Sequence, residues 1–401
     1  MKKNNCIRIA LCLFLSFIVG CTTEQKKDFE YTIEPSSEAA RNVLVGANYY
    51  AGWWPNTPEI LNKWHDFADG HNWLEDYPER TPLLGVDNNQ ETMDKEIIAA
   101  SEHGLDFFLM LWYPYHKNIK TDPLHNPKLN DGLTYFMNSP EAHRMKFYVE
   151  VCNHPPFMMD EFIFWKECVE LWIKAMQHPS HLKVGGKPVI KIHSTGHLLK
   201  DSGGKVETVK QWIEYLRQEA RDAGLGELLI CGGGIGPMVW ENHWAKDVFD
   251  FTGDYMDLPK GMPKDMEMPY DYTWLANFLI QLRSGHKFDK IPYMPVIGSS
   301  WDPTPWDYPL ERGIFKFPTR KEWKSELERM ATDLENMPQM GIPLPDGSLQ
   351  KAFTIYAWNE FGEGSFIAPA KGDSYMKLEC IREVFGVKKH GTGNANKTKN
   401  D

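Results

Sequence analysis

Residues 105–113 read Leu-Asp-Phe-Phe-Leu-Met-Leu-Trp-Tyr. A strand with one wet face alternates apolar and polar side chains. This run is apolar at every position after Asp106, which predicts a parallel strand covered on both faces by helices. Seven comparable runs lie around it: Val43–Tyr50, Met145–Cys152, Pro188–Ser194, Glu227–Gly232, Asp250–Met256, Tyr293–Ser300 and Ala352–Trp358. Helical patterns separate or follow them at Thr92–His103, Glu161–Gln177, Glu207–Ala223, Tyr272–Ser284, Arg320–Met337 and Tyr375–Phe385, with weaker ones at Pro140–Arg144 and Trp240–Lys246. Gly104, Gly224 and Gly386 stand just past three of these as stop signals.

Eight βα repeats predict an α/β fold, a (β/α)₈ TIM-type barrel with extended βα loops. Such barrels take ~250 residues, and the surplus falls in Ala51–Gln90, Pro114–His143 and Trp301–Phe317, where it builds the active face. A doubly wound open sheet would expect an early phosphate-binding loop. The Gly-rich stretch Gly232-Gly233-Gly234-Ile235-Gly236-Pro237 has proline where the dinucleotide fingerprint needs its third glycine, so it reads as a tight βα turn.

Lys2, Lys3 and Arg8 precede an apolar run, Ile9–Val19, that is too short to span a bilayer as a mature helix. It ends Ile18-Val19-Gly20-Cys21, similar to a bacterial lipobox. The expected organisation is a lipoprotein signal peptide over 1–20, lipidation at Cys21, a flexible tether over 21–40, the catalytic barrel over 41–388 and a disordered tail over 389–401. That places the protein in a bacterial cell envelope, lipid-anchored at the outer membrane or cell surface. Cys152, Cys168, Cys231 and Cys380 lack metal spacing and read as buried thiols.

Of the 401 residues, 42% are hydrophobic and 13% aromatic, with 15 Trp, and the net charge of −11 is spread along the chain without a basic stripe. Nucleic acid is therefore not an expected partner. No HExxH, EF-hand loop or cysteine cluster points to a metal or other cofactor, and no Gly-x-Ser-x-Gly follows a strand.

Barrel enzymes place their chemistry at the C-terminal ends of the strands. Those positions hold Asn48, Tyr50, Trp53, Trp112, Tyr113, Glu150, His154, His193, Asp254, Tyr255, Trp301 and Asn359. Carboxylates, amides, imidazoles and flat rings together suit a neutral polyol, so these are the expected substrate-binding residues and a carbohydrate the expected partner. Glu150 alternates with Val149 and Val151, which points it into the barrel, where a carboxylate must be paired or at work.

The last strand runs into Ile355-Tyr-Ala-Trp-Asn-Glu-Phe-Gly-Glu-Gly-Ser-Phe-Ile367. Glu360 and Glu363 come within ~5–6 Å at Cβ if the segment turns, against roughly 10 Å if it is extended. Glycosidic cleavage needs one carboxyl protonated and one ionised, and neighbouring carboxyls push their pKa values apart. Glu360 and Glu363 are the catalytic candidates.

The string Trp358-Asn-Glu-Phe-Gly-Glu-Gly364 resembles the signature of the glycoside hydrolase family 99-like (WbsX-like) proteins, and the opening Gly46-Ala-Asn-Tyr-Tyr-Ala-Gly-Trp-Trp54 looks like the same group. The resemblance implies a metal-free (β/α)₈ enzyme that retains configuration on α-mannose-containing glycans. It implies that Glu360 draws the proton from the sugar's own 2-hydroxyl, giving an epoxide-like intermediate. It implies that Glu363 protonates the leaving oxygen as that bond breaks and the intermediate forms, and afterwards activates water, and that Asn48 and Tyr50 belong to the pocket for the cleaved sugar. Phe361 and Gly362 depart from the Trp and His found between the glutamates of mannan-cutting members, which bears on subsite chemistry. A conventional scheme pairing Glu363 with Glu150 or Asp254 stays open, as do a non-catalytic surface glycan-binding protein and a glycosyltransferase.

Overall fold

The computed structural model describes residues 30–58, 60–66, 68–115, 127–234, 244–259, 267–285, 291–306 and 313–389. Cys21, the signal segment 1–20, residues 235–243 and the tail beyond Lys389 lie outside the described residues.

The barrel strands are β1 (Leu44–Tyr49), β2 (Phe107–Trp112), β3 (Lys146–Val151), β4 (Lys187–Ile192), β5 (Leu229–Gly232), β6 (Phe251–Gly253), β7 (Tyr293–Met294 continued by Val296–Gly298) and β8 (Ala352–Tyr356). All their pairings are parallel. Pro295 splits β7, as a residue without an N–H must in a ladder. The first half pairs with β6 and the second with β8, so every strand has two neighbours and the sheet closes.

Among the described residues eight helices surround it: α1 (Gln90–Glu102), α2 (Asp131–Asn138), α3 (Phe162–Met176), α4 (Thr195–Asp201), α5 (Val206–Asp222), α6 (Tyr272–Gly285), α7 (Arg320–Asn336) and α8 (Met376–Phe385). α7 opens on a reciprocal capping box between Thr319 and Glu322, and α1 on an Asn89 side chain that accepts from the Thr92 N–H. In α5 the residues Val209, Trp212, Ile213, Leu216 and Ala220 recur at three- and four-residue spacing, and all are buried.

One helix expectation needs correction. The helix covering the β2–β3 connection is α2, inside a stretch read as loop, while Pro140–Arg144 supplies only a 3₁₀ turn at Ala142–Arg144. Between β5 and β6 the structure describes a 3₁₀ turn, Trp244–Asp247, while the first part of the expected helix Trp240–Lys246 lies outside the described residues.

Alternation along the strands divides the core. Leu44, Phe107, Leu109, Tyr148, Val189, Leu229 and Phe251 belong to one cluster, inside the barrel. Phe108, Met110, Val149 and Val151 join a larger cluster between sheet and helices. Cys152, Cys168, Cys231 and Cys380 are buried free thiols. No helix among the described residues is long and apolar enough to cross a membrane.

The expected tether runs too far. Glu30–Ile33 pairs antiparallel with Val387–Lys389, the Ser36 N–H donates to Val384 O at 2.9 Å, and Ala40 is fully buried, so residues 30–40 are part of the folded body. A polar segment folds here because its backbone groups find a partner strand. Lys388, buried beside them, ties this sheet to Val43 O and to Asp106 Oδ2 at the N-terminal ends of β1 and β2.

Candidate active site

The chain leaves β8 at Tyr356, the Tyr356–Ala357 peptide is cis, and the Trp358 N–H donates to Asn48 O at 2.7 Å, locking the end of β8 to the end of β1. Asn359–Glu360 then pairs antiparallel with Ser365–Phe366 around a 3₁₀ turn, Phe361–Glu363. Gly364 closes the turn at φ 64°, a left-handed conformation that favours glycine. At Gly362 an added Cβ would lie 2.1 Å from Trp306 Cε2, so the Trp306 ring rests directly on the backbone between the glutamates.

Glu360 and Glu363 thus leave one short turn at the C-terminal mouth of the barrel. Burial, and then the charge of Glu363, raise the Glu360 carboxyl well above the usual range, against a small opposing pull from Lys63. Glu360 Oε2 is buried and accepts no hydrogen bond among the described residues. Burial also raises Glu363, to about 7, opposed by the Tyr356 hydroxyl and Lys63. Two carboxyls this close do not both ionise near neutrality, and the pair titrates as a unit. The Tyr356 O–H donates to Glu363 Oε2, which lowers that carboxyl against the effect of its burial.

A collar of rings surrounds this pair. Trp306 meets Tyr50 at 6.2 Å, Tyr50 meets Tyr113 at 6.5 Å, and Tyr113 meets His154 at 6.2 Å. It continues from His154 to His193 at 5.6 Å, to Tyr255 at 4.8 Å and to Tyr356 at 4.5 Å. Every contact is edge-to-face, the arrangement that ring quadrupoles prefer. The collar takes side chains from or just beyond β1, β2, β3, β4, β6, β7 and β8.

Beneath it Glu150 is fully buried and saturated. Its Oε2 accepts from Asn48 Nδ2 at 2.8 Å, and its Oε1 lies 2.9 Å from Lys191 Nζ and 2.8 Å from His193 Nδ1. Burial works to raise this carboxyl, but Lys191 and His193 outweigh it and hold it below its usual value. An ionised Glu150 only accepts, so His193 Nδ1 carries a proton and its Nε2 is the nitrogen left to the mouth. Asn48 Oδ1 is buried without a hydrogen bond among the described residues.

The structure brings together Glu360, Glu363, Tyr50, Tyr113, His154, His193 and Tyr255, with Asn48 and Glu150 below them. Trp301 is half-buried beside Tyr255 and Tyr356 in a neighbouring apolar cluster. Four expected binding residues serve otherwise. Trp53 is 1% exposed, stacked on Trp64 at 4.1 Å, and its indole N–H donates to Asn359 O, so it backs the acid turn and offers no face to a sugar. Asn359 spends its amide on the Tyr50 backbone, accepting from N–H at 2.8 Å and donating to C=O at 2.7 Å. Trp112 falls on the helix side of β2, edge-on to Trp172 at 5.6 Å. Asp254 accepts from the Tyr293 hydroxyl and lines a small cavity with Leu279 and Leu282 of α6, outside the barrel; burial and then Asp257 raise it to about 7. Conversely, Tyr356, Lys191, Trp306 and Lys63 belong to the site and were not expected there. Lys191 alone had a visible signal, a charge inside an otherwise apolar strand. No group of three or more His, Cys, Asp or Glu side chains suited to a metal occurs among the described residues.

A closed (β/α)₈ barrel with a pair of interacting carboxyls, one buried and one half-buried, at its C-terminal mouth is the class of protein that this fold and site define. No protein-family model matches the chain, and no curated protein does. Among solved structures it is similar to a glycoside hydrolase-like protein at TM-score 0.58 and 15% identity, over 86% of this chain and 94% of that one. It is also similar to the GH99 endo-alpha-mannosidase from Bacteroides thetaiotaomicron at TM-score 0.52 and 17% identity, over 85% and 95% of the two chains. The same enzyme in complex with BIS-TRIS-propane gives 0.51 and 16%. At these identities the likeness is one of fold, and the chain has a family 99-like barrel.

Proposed function

We propose that this protein is a glycoside hydrolase that cleaves O-glycosidic bonds in an oligo- or polysaccharide. The observation that carries the proposal is the placement of Glu360, buried, and Glu363, half-buried, both raised in pKa, on one turn at the barrel mouth. A carboxyl titrating at about 7 can give a proton to the leaving oxygen and then take one from water near neutral pH, which suits Glu363 to the acid/base role. Glu360, with an unengaged buried oxygen, is its partner in a retaining reaction. The collar supplies edges and faces for a sugar ring, and His193 Nε2 and Asn48 Oδ1 offer polar contacts to its hydroxyls. The fold likeness to an endo-alpha-mannosidase makes α-mannosides the first substrates to test, although Phe361 and Gly362 alter the surroundings of the pair. Export and lipid anchoring at Cys21, in the envelope of a bacterial cell, are proposed from the apolar run Ile9–Val19 and the Cys that follows it.

The test is to screen the protein against plant, fungal and host glycans for new reducing ends, with Glu360→Gln and Glu363→Gln as controls. Loss of turnover by at least ~10³-fold in both variants, with unchanged folding, is expected. Full activity in both would end the proposal. The collar would serve a non-catalytic glycan-binding protein equally well, and that reading predicts affinity for a glycan in the same panel with no new ends.

A further inference from the structure

The turn that carries the two glutamates is held at both of its working carbonyls by one ion pair from elsewhere in the chain. Arg80, in the long β1–α1 connection, is 1% exposed. Its Nη1 donates to Phe361 O and to Asp302 O, both at 3.0 Å, and its Nη2 to Asp302 Oδ2. Asp302, just past β7, completes the bridge, since its own N–H donates to Glu363 O at 2.7 Å. A Cβ on Gly364 would fall 2.9 Å from that nitrogen, so the turn and Asp302 are in close contact. The carbonyl directly after Glu360 and the carbonyl of Glu363 itself are thereby fixed relative to one guanidinium and its carboxylate.

We propose that Arg80 and Asp302 are positioning residues that set the separation of the Glu360 and Glu363 carboxyls, and through it how strongly the two interact. This role rests on the hydrolase reading only for its consequence in rate; the separation of the two carboxyls is a property of the protein alone. A planar guanidinium reaches two carbonyls and a carboxylate at once, which the point charge of a lysine does not. Pinning a turn to an ion pair whose guanidinium is buried fixes the relative placement of its side chains, and a displacement of about 1 Å between catalytic groups costs on the order of 10²-fold in rate.

The test uses the full chain carrying Arg80→Lys and, separately, Asp302→Asn, which keeps the N–H to Glu363 O and removes the ion pair. Thermal unfolding confirms the fold of each. The two apparent pKa values of the pair are read by infrared titration of the carboxyl bands, assigned with Glu360→Gln and Glu363→Gln. In either variant the gap between the two values narrows, because carboxyls free to move apart repel less. On a glycan that the wild type cleaves, kcat falls ~10- to 100-fold with KM within about twofold. A gap that stays as wide as in the wild type in a folded variant overturns the proposal, whatever happens to the rate. If Arg80→Lys does not fold, Asp302→Asn decides by the same criterion. A narrowed gap in a protein whose wild type cleaves no glycan supports the positioning role and sinks the hydrolase reading.

Discussion

Tyr356, the last residue of β8, donates its phenol proton to Glu363 Oε2, seven residues further along the chain. The donor comes from the rigid sheet and the acceptor from the turn, so the barrel wall sets the environment of the acid. Removing the donor in Tyr356→Phe takes away the interaction that lowers the Glu363 pKa. The alkaline limb of the pH–rate profile, where Glu363 loses its proton, is expected to move to higher pH. A limb that stays in place would show that Glu363 is not the group titrating there.

Glu96 of α1 is buried and accepts from the Tyr49 hydroxyl at 2.7 Å, and burial raises its carboxyl to about 7. A raised folded-state pKa means that the folded protein binds the extra proton. Its contribution is fully present below about 4.5, the unfolded value, and is lost as pH rises through about 7. Glu96→Gln is therefore expected to match the wild type at pH ~5 and to exceed it at pH ~8 by up to about 3 kcal/mol. Urea unfolding at the two pH values measures the difference.

Glu150 and Lys191 are register partners on β3 and β4, both buried. Lys191→Met leaves the carboxylate with only Asn48 and His193 and is expected to cost ~3–5 kcal/mol in urea unfolding. The double variant Glu150→Gln with Lys191→Met should recover most of that loss. Equal losses in the single and double variants would mean that packing, and not the uncompensated charge, is responsible.

The barrel was readable because strands buried on both faces leave mainly apolar runs, unbroken in β2 and interrupted by single polar residues in others such as β3 and β4. The helix α2 was not: its eight residues open Asp-Gly and lie in a stretch that reads as loop. The acid pair was legible because two carboxyls and two glycines interrupt a buried run, and Glu150 because it breaks an apolar alternation. The same alternation could have placed Trp112 with Phe108 and Met110 on the helix side. Trp53 and Asp254 show the limit, since residue type and position at a strand end do not reveal which way a side chain turns once the chain leaves the ladder. Arg80 lay beyond sequence reasoning altogether, for its partners are 222 and 281 positions away.

The small sheet made by Glu30–Ile33 and Val387–Lys389 seals the floor of the barrel, where Lys388 grips the chain just ahead of β1 and β2. Glu30, the first residue described, lies at that end of the barrel, opposite the opening that holds the glutamates. The closure that the two ends of the described chain make together therefore leaves the entrance to the glutamates unobstructed by either of them.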